Sequence, residues 1–164
     1  MRCHWLICES GDRWEHAARH FGPEMLAESD DQMLLKTFKQ PTDCLAAITD
    51  VAPAIVVWQL PAFHASTVLQ AIEMANAGNR PILQFAALSL DATCGPVRRN
   101  DLELALREMG VFAVLDHPLS LLPNATAIRK FWRRHRRQDN LTLVQQIWDR
   151  LPWANDLHTP GGRK

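Results

Sequence analysis

Five short apolar runs, each followed by a stripe of apolar residues at helical spacing, alternate along most of this chain. The runs are "CHWLIC" (3–8), "MLLKTF" (33–38), "AIVVWQL" (54–60), "PILQFAAL" (81–88) and "VFAVL" (111–115). They are largely unbroken by polar residues, the pattern of strands covered on both faces. Trp14, Ala17, Ala18 and Phe21 form the first stripe, which the sequence ends near Gly22-Pro23. Thr42 is the expected N-cap of a short helix carrying Leu45 and Ile48. Val68, Ala71, Ile72 and Ala75 follow, stopped by "NAGN". Leu102, Ala105, Leu106 and Met109 run up to Gly110, and Leu121, Ala125, Ile128 and Trp132 complete the series. Strand–helix repetition with short links predicts an α/β fold, a doubly wound five-stranded parallel sheet with helices on both faces. Ligands in such sheets bind beyond the carboxyl ends of the strands. Those ends are Glu9-Ser10, Gln59, Ala86-Ala87 and Asp116-His117-Pro118.

"PAIVVWQLPAFHASTVLQAI" and "GVFAVLDHPLSLLPNATAIRKF", in that order with "RPILQFAAL" between them, carry a more specific likeness. The chain resembles the receiver domain of bacterial response regulators over roughly residues 3–137. The resemblance implies the CheY-like strand order 2-1-3-4-5 and a role in two-component, phosphorelay-type signal transduction. It also implies a pocket in which a strand-three carboxylate takes a phosphoryl group and acids after strand one hold Mg²⁺. A hydroxyl after strand four and a lysine after strand five would bind the phosphoryl oxygens. Carried across, Gln59 stands at the nucleophile position (Trp58 if the register is shifted), and Glu9 and Ser10 at the acidic pair. Ala86 stands at the hydroxyl, and His117 at the lysine with the following Pro118 retained. A neutral amide neither attacks phosphorus nor contributes charge to a hard cation. The expectation is a degenerate pocket, a pseudo-receiver that takes no phosphoryl group and is not an enzyme. An atypical receiver that still binds a ligand or phosphoryl group at the strand ends is the alternative.

His117 is expected to pair with Glu9 or Asp116, because only His64 lies near enough in the pattern to help it hold a metal. No metal or cofactor is expected. Cys3, Cys8, Cys44 and Cys94 form no CxxC pair and read as reduced, mostly buried thiols, as in a cytoplasmic protein. The acid after Cys8 argues against a reactive thiolate there.

Lys and Arg balance Asp and Glu at 18 each, so any electrostatic preference is local. "IRKFWRRHRR" concentrates Arg129, Lys130, Arg133, Arg134, Arg136 and Arg137 around the core residue Trp132. The expected role of these cations is a solvated helix face open to a protein partner. A nucleic-acid-binding adaptor is the further alternative. Residues 1–138 are expected to form the receiver-like unit; 139–164 are expected to hold a disordered tail and an extra amphipathic helix, whose Ile147, Trp148 and Leu151 share one face for packing back on the domain or, as partner-binding candidates, against a signalling partner or a second copy. No run reaches the roughly 20 apolar residues of a membrane span, so no membrane insertion is expected.

Overall fold

The computed structural model describes residues 2–26, 32–61, 65–88 and 96–139, without side chains at 96–98 and 136–139. The elements are β1 (Arg2–Cys8), α1 (Arg13–Leu26), β2 (Gln32–Phe38), α2 (Pro41–Val51), β3 (Ala54–Leu60) and α3 (Ser66–Ala77). Then come β4 (Ile82–Leu88), α4 (Pro96–Glu108), β5 (Val111–Leu115), a 3₁₀ turn (Pro118–Asn124) and α5 (Ala125–Asp139). The strands form one parallel sheet in the order β2-β1-β3-β4-β5. This is the expected CheY-like topology, and its switch point lies between β1 and β3.

Strand alternation divides the core into two. On one face Cys3, Trp5, Ile7, Ile55, Val57 and Phe85 pack under α1, the 3₁₀ turn and α5, with Trp14, Leu121, Ile128 and Trp132. On the other, Leu6, Cys8, Val56, Trp58, Ala86 and Leu88 meet α2, α3 and α4 through Cys44, Ile48, Val68, Ile72 and Leu106. Central strands with both faces covered give up their alternation, which is why they read as apolar runs. β2 is an edge strand and carries exposed Lys36 and Thr37, features that discourage edge pairing.

Three local expectations are corrected. α1 does not stop at Gly22-Pro23 but continues to Leu26 with Pro23 inside it. Extending the helix buries Met25 and Leu26, each worth about 1.5–3 kcal/mol, which outweighs the ~3 kcal/mol cost of an internal proline. Gly22 permits this because a Cβ there would lie 2.3 Å from the Met33 sulfur on β2. Thr42 is not a cap: Gln40 occupies that position and Pro41 sets the first helical φ. The Leu121–Trp132 stripe spans two elements, with Leu121 on the 3₁₀ turn and the rest on α5, yet all of it faces one core. Gly110 ends α4 as expected, at φ +94°, with Asn76 filling the space a side chain would need.

α5 runs to Asp139, one residue beyond the expected boundary at 138. The extra amphipathic helix and tail, with Ile147, Trp148 and Leu151, lie outside the described residues, as do His64 and Cys94. Among the described residues no helix is long and apolar enough to cross a membrane.

A buried polar pair joins the central strands: Trp58 Nε1 donates to Gln84 Oε1 at 2.8 Å, inside the α2–α4 core. Trp58→Phe strands that amide oxygen and should cost about 1–3 kcal/mol in urea unfolding. Adding Gln84→Leu should recover part of the loss, and a double variant weaker than the sum of the singles would contradict the pairing.

Candidate functional site

Glu9 leaves β1, the interior strand between β2 and β3, and is 2% exposed, the most buried acid among the described residues. Its Oε2 accepts from Trp14 N at 2.9 Å and its Oε1 from Glu15 N at 2.7 Å. Both donors belong to the first turn of α1, whose N–H groups have no partner within the helix. The carboxylate therefore caps the helix and meets the positive end of its dipole, a charge-assisted arrangement that stabilises a buried anion.

Ser10, next in the chain, is tied to Gln59 on β3. Gln59 Oε1 accepts from Ser10 N at 2.8 Å and from Ser10 Oγ at 3.1 Å. From the other side Lys39, just past β2, donates through Nζ to the carbonyls of Ser10 at 3.1 Å and Gly11 at 2.6 Å. The β1–α1 loop is thus held by neighbours on both flanks. A cleft of about 220 Å³ opens at this switch point, lined by Cys8, Ser10, Lys39, Gln40, Gln59 and Thr67 among others.

The β5 end is organised separately. Asp116 Oδ2 accepts from Arg99 Nη2 on α4 at 2.8 Å, and Asp116 Oδ1 accepts from Ser120 Oγ at 2.7 Å. The Arg99 guanidinium, then the Ser120 hydroxyl, push the Asp116 carboxyl down to about 2. Arg13 links this end to α1, its Nη2 donating to the Asp116 carbonyl at 3.4 Å while its guanidinium lies over the Trp14 ring. His117 does not pair with Glu9 or Asp116, a correction to the sequence expectation. Its backbone is extended, and its Nδ1 accepts from Leu119 N at 3.2 Å, capping the 3₁₀ turn that Pro118 opens. Nδ1 as acceptor leaves the ring proton on Nε2.

The structure therefore brings together Glu9, Ser10 and Gln59, and leaves His117 and Pro118 as a local cap. Ala86 is fully buried within β4, two residues before the strand's last residue Leu88, and offers no polar atom. Lys130, Arg133 and Arg134 are exposed on α5 and Arg129 is half-buried, while Ile128 and Trp132 fill the core beneath; side chains of Arg136 and Arg137 lie outside the described residues. Sequence reasoning missed Lys39, whose signal was available: β2 flanks β1 in this topology, so its end belongs to the same rim.

The Mg²⁺ that the resemblance implies does not fit these residues. Glu9 is the one carboxylate at this corner, with each oxygen turned to an N–H of α1, and Ser10 and Gln59 bond each other. Asp116 is held by Arg99 and Ser120, and the lysine charge already sits on the loop carbonyls. Among the described residues no group of three or more His, Cys, Asp or Glu is placed to hold a metal ion.

No protein-family model matches the chain. No curated protein matches it either. Solved structures do. A two-component response regulator from Clostridium difficile superposes with a TM-score of 0.53 at 10% identity, covering 82% of this chain and 98% of that one. A response regulator receiver protein from Burkholderia phymatum gives 0.45 at 14% identity, over 77% and 94% of the two chains. The Francisella novicida lysine decarboxylase LdcF gives 0.49 at 11% identity, over 79% of this chain and 17% of that one.

Two outcomes follow from the geometry. Glu9→Gln keeps an acceptor but loses the charge and turns an NH₂ toward α1, which should cost about 1–3 kcal/mol in chemical denaturation; an unchanged midpoint would contradict the cap. Asp116 ionises more readily in the fold than in the unfolded chain, so its contribution is full above the unfolded value near 4. It fades as pH falls toward the folded value of about 2. Asp116→Asn should flatten the acid limb of the stability profile between those limits, by under about 1 kcal/mol for so exposed a pair.

Proposed function

We propose that this chain, which has the receiver fold, is a non-enzymatic signalling module that acts through protein contacts and takes no phosphoryl group. The observation that carries this reading is the Gln59–Ser10 bond, which puts a neutral amide at the end of β3 beside a Glu9 that caps α1. In phosphoryl transfer, catalysis is positioning and charge neutralisation around a nucleophile. No residue of β3 is an acid, so the choice of register along "AIVVWQL" does not restore an acceptor. The polar groups that such chemistry would need are used to fasten the strand ends together.

The output surface in this reading is the exposed basic face of α5. Lys130, Arg133 and Arg134 project from a helix whose apolar side is anchored by Ile128 and Trp132, giving a rigid array of cations suited to an acidic protein surface. Leu104 of α4 and Phe112 of β5 are exposed large apolar residues that can add to such a contact. Nucleic acid is the competing occupant for the same cations.

The 220 Å³ cleft supports a second reading, in which the receiver pocket is remade to bind a small molecule near Lys39, Ser10, Gln59 and Thr67. It needs no acceptor carboxylate.

Incubation with acetyl phosphate and Mg²⁺ followed by intact-mass measurement tests the leading reading. The expected result is an unmodified chain, together with no saturable change in tryptophan fluorescence on adding beryllofluoride. A phosphorylated chain, or a saturable fluorescence change lost in Gln59→Ala, would overturn it. DNA binding that weakens steeply with salt and disappears on charge reversal at Arg133 and Arg134 would transfer the α5 surface to the nucleic-acid alternative.

A further inference from the structure

Lys39 lines the switch-point cleft, and no acid among the described residues forms an ion pair with it. An ammonium carries three N–H groups. Those of Lys39 serve only two carbonyls, of Ser10 at 3.1 Å and Gly11 at 2.6 Å. Gln59 lines the same cleft and is bonded to the same residue, its Oε1 2.8 Å from Ser10 N. A backbone N–H must face an acceptor, so this bond fixes the carboxamide: Oε1 is turned to Ser10 and the Nε2 donors are turned away. Those donors have no partner among the described residues. Thr67 and Val68, in the first turn of α3, complete this part of the lining. That turn holds no acid and no side chain caps it, so the positive end of the helix dipole meets the cleft. A cation, an amide donor and a hydroxyl thus share one opening with the apolar surfaces of Pro41, Pro61 and Val68.

The geometry points to this cleft as a binding site for a short-chain monocarboxylate, its carboxylate held by Lys39, the Gln59 amide and the Thr67 hydroxyl, and its hydrocarbon end against Pro41, Pro61 and Val68. This rests on the small-molecule reading of the cleft and names its ligand class; it is independent of the protein-contact reading. Charge selects the anion: the oxygen of the Gln59 amide is already used, and what remains around Lys39 is donors. Glu9 selects a single charge. It lines the same cleft, and although its oxygens are turned to α1, a dianion would set a second negative charge against it. Size selects a short chain, since 220 Å³ is below the roughly 300–1,000 Å³ of pockets that take larger ligands.

The test titrates the full, isotope-labelled chain with sodium butyrate at constant ionic strength and follows backbone and side-chain amides by NMR. A saturable shift is expected at the Ser10 and Thr67 N–H groups and the Gln59 NH₂. Lys39→Ala should weaken binding at least about tenfold, as for loss of a charge-assisted hydrogen bond, and Lys39→Arg should retain it. Thr67→Glu, at an exposed position, should abolish it by adding a carboxylate to the cleft. Butyramide, of the same shape without the charge, should give no shift. Equal binding of butyramide, binding indifferent to Lys39→Ala, or tighter binding of inorganic phosphate would overturn the monocarboxylate and leave the small-molecule reading standing. Shifts confined to Lys130, Arg133 and Arg134 would mark diffuse attraction to α5 and overturn it too. No shift at the cleft amides with either compound would overturn both this assignment and the small-molecule reading. If Lys39→Ala fails to fold, the comparison of butyrate with butyramide on the wild-type chain decides.

Discussion

A carboxylate buried at the end of the interior strand β1 organises the rim formed by the strand ends. Removing a charge from water costs several kcal/mol unless other groups replace its solvation. For Glu9 the replacement is the N-terminus of α1, through two N–H groups at 2.9 and 2.7 Å. The bond couples the start of a 14-residue helix to the middle of the sheet. It also sets which way the carboxylate faces, because each of its oxygens is turned to an N–H group at the start of α1.

The remainder of the rim follows the same pattern of direct contacts. Lys39 supplies a positive charge to the β1–α1 loop carbonyls, Gln59 holds Ser10, Arg13 reaches the β5 end, and Arg99 and Ser120 hold Asp116. A switch requires a ligand that favours one arrangement of such groups over another. Here many of these groups are bonded to one another within the protein, so the rim is held by contacts that exist without any ligand. The proposed scaffold role rests on this rim of internal contacts.

Much of the fold was legible because burial on both faces leaves a continuous apolar run, and a helix on a sheet leaves a stripe at 3.6-residue spacing. Gly110 and "NAGN" mark helix ends on backbone grounds alone. The end of α1 is not marked in this way, since Pro23 argues locally for a stop while the burial of Met25 and Leu26 argues from tertiary packing. At the site, residue types were legible and directions were not. That Glu9 turns toward α1, or that His117 caps its own turn, depends on side-chain orientation at loop positions where no periodicity exists. Lys39 follows β2, whose end joins the same rim only because the strand order sets β2 beside β1.

Amide hydrogen exchange at Ser10, Trp14 and Glu15 tests the fixed rim most directly. These three N–H groups are the donors that bind Gln59 and Glu9. Exchange measured with and without Mg²⁺ and beryllofluoride should be slow at all three and unaltered by either addition. A saturable change in their protection would mean that the strand ends open to an ion or phosphoryl mimic, and would contradict the account.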